Sequence, residues 1–110
     1  MPIKRYSTTF TGDGSSSTFQ ADTEEASGGS VKVGFSLSGT WRSCTAKLML
    51  CADPGMSPRT YTAVSSMSYT ADAAGTWEIP VGAVFRVTVT GSGSPIPSIA
   101  LRMSGYIEAA

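Results

Sequence analysis

Apolar and polar residues alternate with a period of two along most of this chain. Between residues 83 and 90, Ala83, Phe85, Val87 and Val89 fall on one side of an extended backbone. Val84, Arg86, Thr88 and Thr90 fall on the other. A β-branched run with that alternation is the pattern of a strand that buries one face and wets the other. The loop Gly91-Ser92-Gly93-Ser94-Pro95-Ile96-Pro97 follows. Ile99, Leu101 and Met103 then alternate with Ala100, Arg102 and Ser104. Two such runs flanking a Gly/Ser/Pro loop predict an antiparallel hairpin.

The rest of the chain repeats the pattern in shorter pieces. From Ile3 to Phe10, Lys4, Tyr6, Thr8 and Phe10 share a side. Asp13-Gly14 is a turn signal, and Thr18 to Thr23 can return as a second strand carrying Phe19 and Ala21. Residues 1–29 thus read as an N-terminal hairpin or arm, and residues 30–110 as the body of one sandwich domain. Val31, Val33, Phe35 and Leu37 alternate cleanly with Lys32, Gly34, Ser36 and Ser38. Ser38-Gly39-Thr40 reads as a turn before Trp41. Cys44, Ala46, Leu48 and Leu50 form the next apolar face, then Arg59 to Val64 and Trp77 to Val81, where Pro80 marks an edge or a bulge. Residues 70–76 read as a loop or one helical turn. This gives seven to nine short strands at the spacing of a sandwich, with no stretch of period 3.6. The fold class predicted is all-β, an antiparallel β-sandwich of jelly-roll or Ig-like type.

Composition narrows what such a domain can do. The chain has 110 residues, 41% of them hydrophobic, enough for one modest core. Charged residues are only 15%, against ~25% in typical soluble domains. Ser, Thr and Gly take their place; small hydroxyls lose little side-chain entropy on contact with another protein, and they equally suit an ordinary exposed β-sheet. Eight basic residues balance eight acidic ones, so phosphate neutralisation along a nucleic acid is not expected. No run approaches the ~18 apolar residues of a membrane helix, and Met1-Pro2-Ile3-Lys4-Arg5-Tyr6 has no apolar signal core. Neither a nucleic acid nor a membrane is an expected partner.

Candidate chemistry is sparse. There is no histidine, which removes the commonest general base and metal ligand. Cys44 and Cys51, placed on one strand, stand roughly 23 Å apart on opposite faces at ~3.3 Å per residue, while a disulfide needs Cα atoms within ~7 Å. Free thiols are expected. Asp22, Glu24 and Glu25 lack the spacing of a calcium loop and read as solvated charges. Gly12-Asp13-Gly14 and Gly91-Ser92-Gly93 lack the lysine and the helix of a phosphate loop. No enzyme activity and no cofactor are expected. Trp41 and Trp77, each preceded by Gly-Thr, suit either a cap on the core or a subunit contact. A sugar platform is the other use of an exposed tryptophan.

Two stretches carry a resemblance. Phe10-Thr11-Gly12-Asp13-Gly14-Ser15-Ser16-Ser17-Thr18-Phe19 resembles a hairpin of tailed-bacteriophage structural proteins. Gly28 to Val33, Leu37 to Trp41, Gly75-Thr76-Trp77-Glu78-Ile79-Pro80-Val81, Phe85 to Val89 and Ile99 to Arg102 are together similar to small β-sandwich virion proteins. The segment 44–56 departs from that pattern. The resemblance implies a virion protein assembled in the host cytoplasm, most concretely a capsid decoration protein. Its implied partners are the major capsid protein or other virion proteins and further copies of itself, with a trimer favoured. A tail or head–tail accessory protein and a carbohydrate-binding module are the alternatives. Ile3, Tyr6 and Phe10 are the expected anchors of the N-terminal contact, with Trp41 and Trp77 as further interface candidates.

Overall fold

The computed structural model describes residues 3–21, 29–51, 53, 55, 57–91 and 96–109. These form ten strands in two antiparallel sheets: β1 (Lys4–Phe10), β2 (Gly14–Ser15), β3 (Phe19–Ala21), β4 (Ser30–Thr40), β5 (Thr45–Cys51), β6 (Thr62–Tyr69), β7 (Ala73–Pro80), β8 (Val84–Thr90), β9 (Ser98–Gly105) and β10 (Ile107–Ala109). One sheet runs β1-β9-β4-β7. The other runs β10-β3-β8-β5-β6, with β2 also paired to β8.

Setting aside the short β2 and β10, the eight remaining strands pair first with last, second with seventh, third with sixth and fourth with fifth. That is a folded-over double ribbon, the jelly roll. Of the two architectures the sequence allowed, the strand order selects this one.

The topology corrects two expected hairpins. β8 and β9 do not pair. β8 lies between β3 and β5, and β9 between β1 and β4 in the opposite sheet. The connection after Thr90 therefore crosses the sandwich, although residues 92–95 of it lie outside the described residues. Likewise β1 and β3 do not form a hairpin. β1 pairs with β9 from Lys4 opposite Gly105 to Phe10 opposite Ile99, and β3 pairs with β8 and β10. The described part of the N-terminal segment, residues 3–21, is thereby built into both sheets, with Phe10, Phe19 and Ala21 buried. The acidic residues Asp22, Glu24 and Glu25 lie outside the described residues.

Two local expectations shift as well. β4 runs straight through Ser38-Gly39-Thr40. The chain reverses instead at Trp41–Cys44, where Arg42 and Ser43 have φ of 50° and 66°. There the Cys44 amide donates to the Trp41 carbonyl at 2.9 Å, with left-handed residues at both centres of the turn. Gly39 has φ of 140°, and a Cβ there would sit 2.0 Å from the Ser98 carbonyl oxygen. Glycine lets β4 and β9 approach at that point. At 70–76 there is no helical turn; β7 begins at Ala73.

The alternation read from the sequence is the core. Val31, Val33, Phe35 and Leu37 from β4, Ile99, Leu101 and Met103 from β9, Phe85, Val87 and Val89 from β8, and Ala46 and Leu48 from β5 meet between the sheets. Val84 departs from the pattern. It lies on the outer side of β8 and is fully buried, opposite the equally buried Cys51. Cys44 and Cys51 are both unbonded thiols inside the protein.

Candidate interaction surface

The five residues singled out from the sequence fall into three settings. Ile3 is 51% exposed at the start of β1. Tyr6 is half-buried, its ring 4.5 Å from that of Phe19, so it closes the seam between the two sheets. Phe10 lies within the core. Trp41 is half-buried, and its Nε1 donates to Asp72 Oδ1 at 2.7 Å. The same carboxylate oxygen accepts the Gly39 amide at 3.1 Å, so Asp72 fastens the end of β4 to the start of β7.

Trp77 is only 1% exposed. Its ring stacks on Phe35 at 4.0 Å and 8°, and its Nε1 donates to the Tyr69 hydroxyl at 2.9 Å. That hydrogen bond satisfies the one polar atom of a buried indole. Phe10 and Trp77 therefore hold the sandwich together and present no surface. Of the five, Ile3, Tyr6 and Trp41 reach solvent, and they do so at separate places.

The two sheets differ on their outer sides. On the outward side of β8 and β5, Val84 and Cys51 are buried, Arg86 and Met49 are half-buried, and Lys47 and Thr90 are exposed. The Arg86 guanidinium lies 4.2 Å from the centre of the Tyr61 ring, and its Nε is buried without a hydrogen-bond partner. Cys51 Sγ donates to the Asp53 carbonyl at 3.3 Å.

The outer side of the four-stranded sheet is open. Arg5, Ser104 and Gly34 follow one another across β1, β9 and β4, as do Ser7, Arg102 and Ser36 in the next row. They line a shallow depression of about 710 Å³ that ends against Ala74 and Gly75 of β7. A smaller hollow of about 200 Å³ lies at the seam, between Tyr6, Phe19, Leu101 and Met103.

The sequence placed Arg102 and Ser104 on the wet side of β9. It did not show that Arg5 stands beside them, because the signal for that is a pairing across most of the chain. Among the described residues, no three His, Cys, Asp or Glu side chains are placed to share a metal ion. No protein-family model, curated protein or solved structure matches this chain.

Proposed function

We propose that this chain is a structural protein of a bacteriophage particle, and most specifically a decoration protein that binds the major capsid protein on the outside of the head. The observation that carries the reading is the open face of the four-stranded sheet. It is a surface of small side chains with two arginines, laid over the buried core of the jelly roll. Such a face docks on another protein with little loss of side-chain entropy. The resemblance of Gly75 to Val81 and Phe85 to Val89 to virion sandwich proteins supports the same reading. Repetition over a shell supplies the strength, since many weak contacts on one lattice act together. A place on the tail or at the head–tail junction uses the same surface chemistry.

Electron microscopy of particles assembled with and without the chain tests this. Ordered density for the sandwich at repeated sites on the shell is the expected result, together with earlier rupture of shells lacking it on heating. Purified particles that never contain the chain overturn the proposal.

One observation favours a second reading, a carbohydrate-binding module. Trp41 is partly exposed beside the Asp72 carboxylate, and an indole face next to a hydrogen-bond acceptor is suited to a sugar ring. A glycan-dependent change in tryptophan emission that disappears in Trp41→Phe would support it. An unchanged spectrum across a glycan panel dismisses it.

A further inference from the structure

β1 and β7 are the two open edges of the same four-stranded sheet. We propose that they are a matched pair, and that copies of this chain join head to tail by pairing β1 of one with β7 of the next. The inference rests on the decoration reading, in which many copies share one shell, and names the surface by which they join.

Direction comes first. Each neighbouring pair in the sheet is antiparallel, so with four strands β1 and β7 run opposite ways. A β7 brought beside β1 continues the alternation and makes an antiparallel ladder. An open edge offers its unpaired amides and carbonyls for this.

Register comes next. The inner faces must stay continuous, which limits the choices to shifts of two residues. One of these sets Ser7 opposite Thr76 and uses both strands at nearly full length, pairing the seven residues of β1 within the eight of β7. In that register Tyr6 meets Trp77 on the inner side. On the outer side Arg5 meets Glu78. β1 carries Lys4 and Arg5 and no acid, while β7 carries Glu78 and no base. Glu78 would then stand between Lys32 of its own sheet, already opposite it, and Arg5 of the neighbour. Opposite charges facing each other across a ladder favour the pairing.

Exposure gives the third argument. Thr8 and Gly75 both face the inner side, Thr8 beside Leu101 and Gly75 beside Phe35. Alternation leads one to expect burial there, yet both are exposed. The register that joins Arg5 to Glu78 sets Thr8 directly opposite Gly75, so each covers the other. Ala74, Gly75 and Thr76 carry no bulk that would hold a strand away. A two-fold pairing of β1 with itself about Ser7 would set Arg5 against Thr9 and offer it no carboxylate. The head-to-tail contact uses two different surfaces, and repeated about a rotation axis it closes a ring.

Sedimentation of the purified full chain across a concentration series tests the proposal. A reversible ring-sized oligomer is expected. Arg5→Glu and Glu78→Arg should each raise its dissociation constant at least tenfold, and the double variant should recover most of that loss. Melting curves confirm that each variant folds. Independently of charge, oxidation of a Ser7→Cys, Thr76→Cys variant should give a covalent ladder of chains, while Ser7→Cys with Ala74→Cys gives far less. The native thiols, both buried, do not compete.

A chain that stays monomeric to millimolar concentration overturns the proposal. So does an oligomer unaffected by either charge reversal and free of the cross-link. Particle binding separates this from the decoration reading: a monomer that saturates shells sinks only the edge pairing, and a ring that ignores shells sinks only the decoration role.

Discussion

The outer sides of the two sheets were built to different ends from the same alternating strands. On the six-stranded sheet, Val84 and Cys51 are as buried as core residues, and Tyr61 lies over Arg86. On the four-stranded sheet, Gly34, Ser36, Ser104, Arg5 and Arg102 line an open depression. The chain covers one end of the first face itself, at Val84 and Cys51, and leaves the second bare. An outward position is therefore not a single environment, and substitutions should separate the two faces.

The largest difference is expected from the same charge placed on each. Val84→Asp puts a carboxylate into a buried site opposite the Cys51 thiol, where Arg86 two residues along the same face offsets only part of the charge, and should cost about 3 kcal/mol. Ser36→Asp on the bare face should stay within about 0.5 kcal/mol of the parent. Equal losses in urea unfolding would show that the faces are not distinct.

Two glycines of β4 sharpen the contrast. Gly39→Ala forces a methyl against the Ser98 carbonyl at a positive φ, and the backbone strain alone is worth about 1–3 kcal/mol. Gly34→Ala meets Ser104 Oγ at 3.5 Å and the Ser104 carbonyl oxygen at 3.7 Å, both ordinary contacts, and should unfold like the parent. The smallest effect is expected at the cover itself. Tyr61→Ala removes the ring over Arg86 and should lose about 0.5–1 kcal/mol, read as a small drop in the urea midpoint. No change there would mean that Tyr61 merely lies across the arginine.

The strands were legible in the sequence and their partners were not. Periods of two around Val31–Leu37 and Phe85–Val89 encode which side of a strand is buried, because that property is local. Pairing is not local in a jelly roll. Among the described residues only β5 and β6 join neighbours in the chain, and even that ladder is interrupted, with the register shifting between Lys47 and Met49 and Ser66 nearby at φ 68°. Elsewhere the turn chemistry of Asp13-Gly14 and Gly91–Pro97 marks crossings between sheets, and nothing in a loop's composition distinguishes a crossing from a hairpin.

The site followed the same logic. Ile3 is exposed and Trp41 half-buried. Phe10 and Trp77 went to the core, because aromatic residues suit an interface and an interior equally well. Val84 was read as outward, correctly, and is nonetheless buried opposite Cys51, which strand alternation alone does not show. Arg5 and Arg102 join only through the pairing of β1 with β9.

Closing the first strand onto the ninth also has a consequence in time. While the polypeptide is being made, β1 has no neighbour to hydrogen-bond until Ser98–Gly105 has left the ribosome, and β3 must wait for β8. The sandwich thus cannot seal until both β8 and β9 have emerged. Folding of such a topology belongs in the millisecond-to-second range rather than the microseconds of a helical bundle. During that wait, the apolar faces of β1, β3 and β4 are the nascent chain's exposure to chaperones and to its own copies.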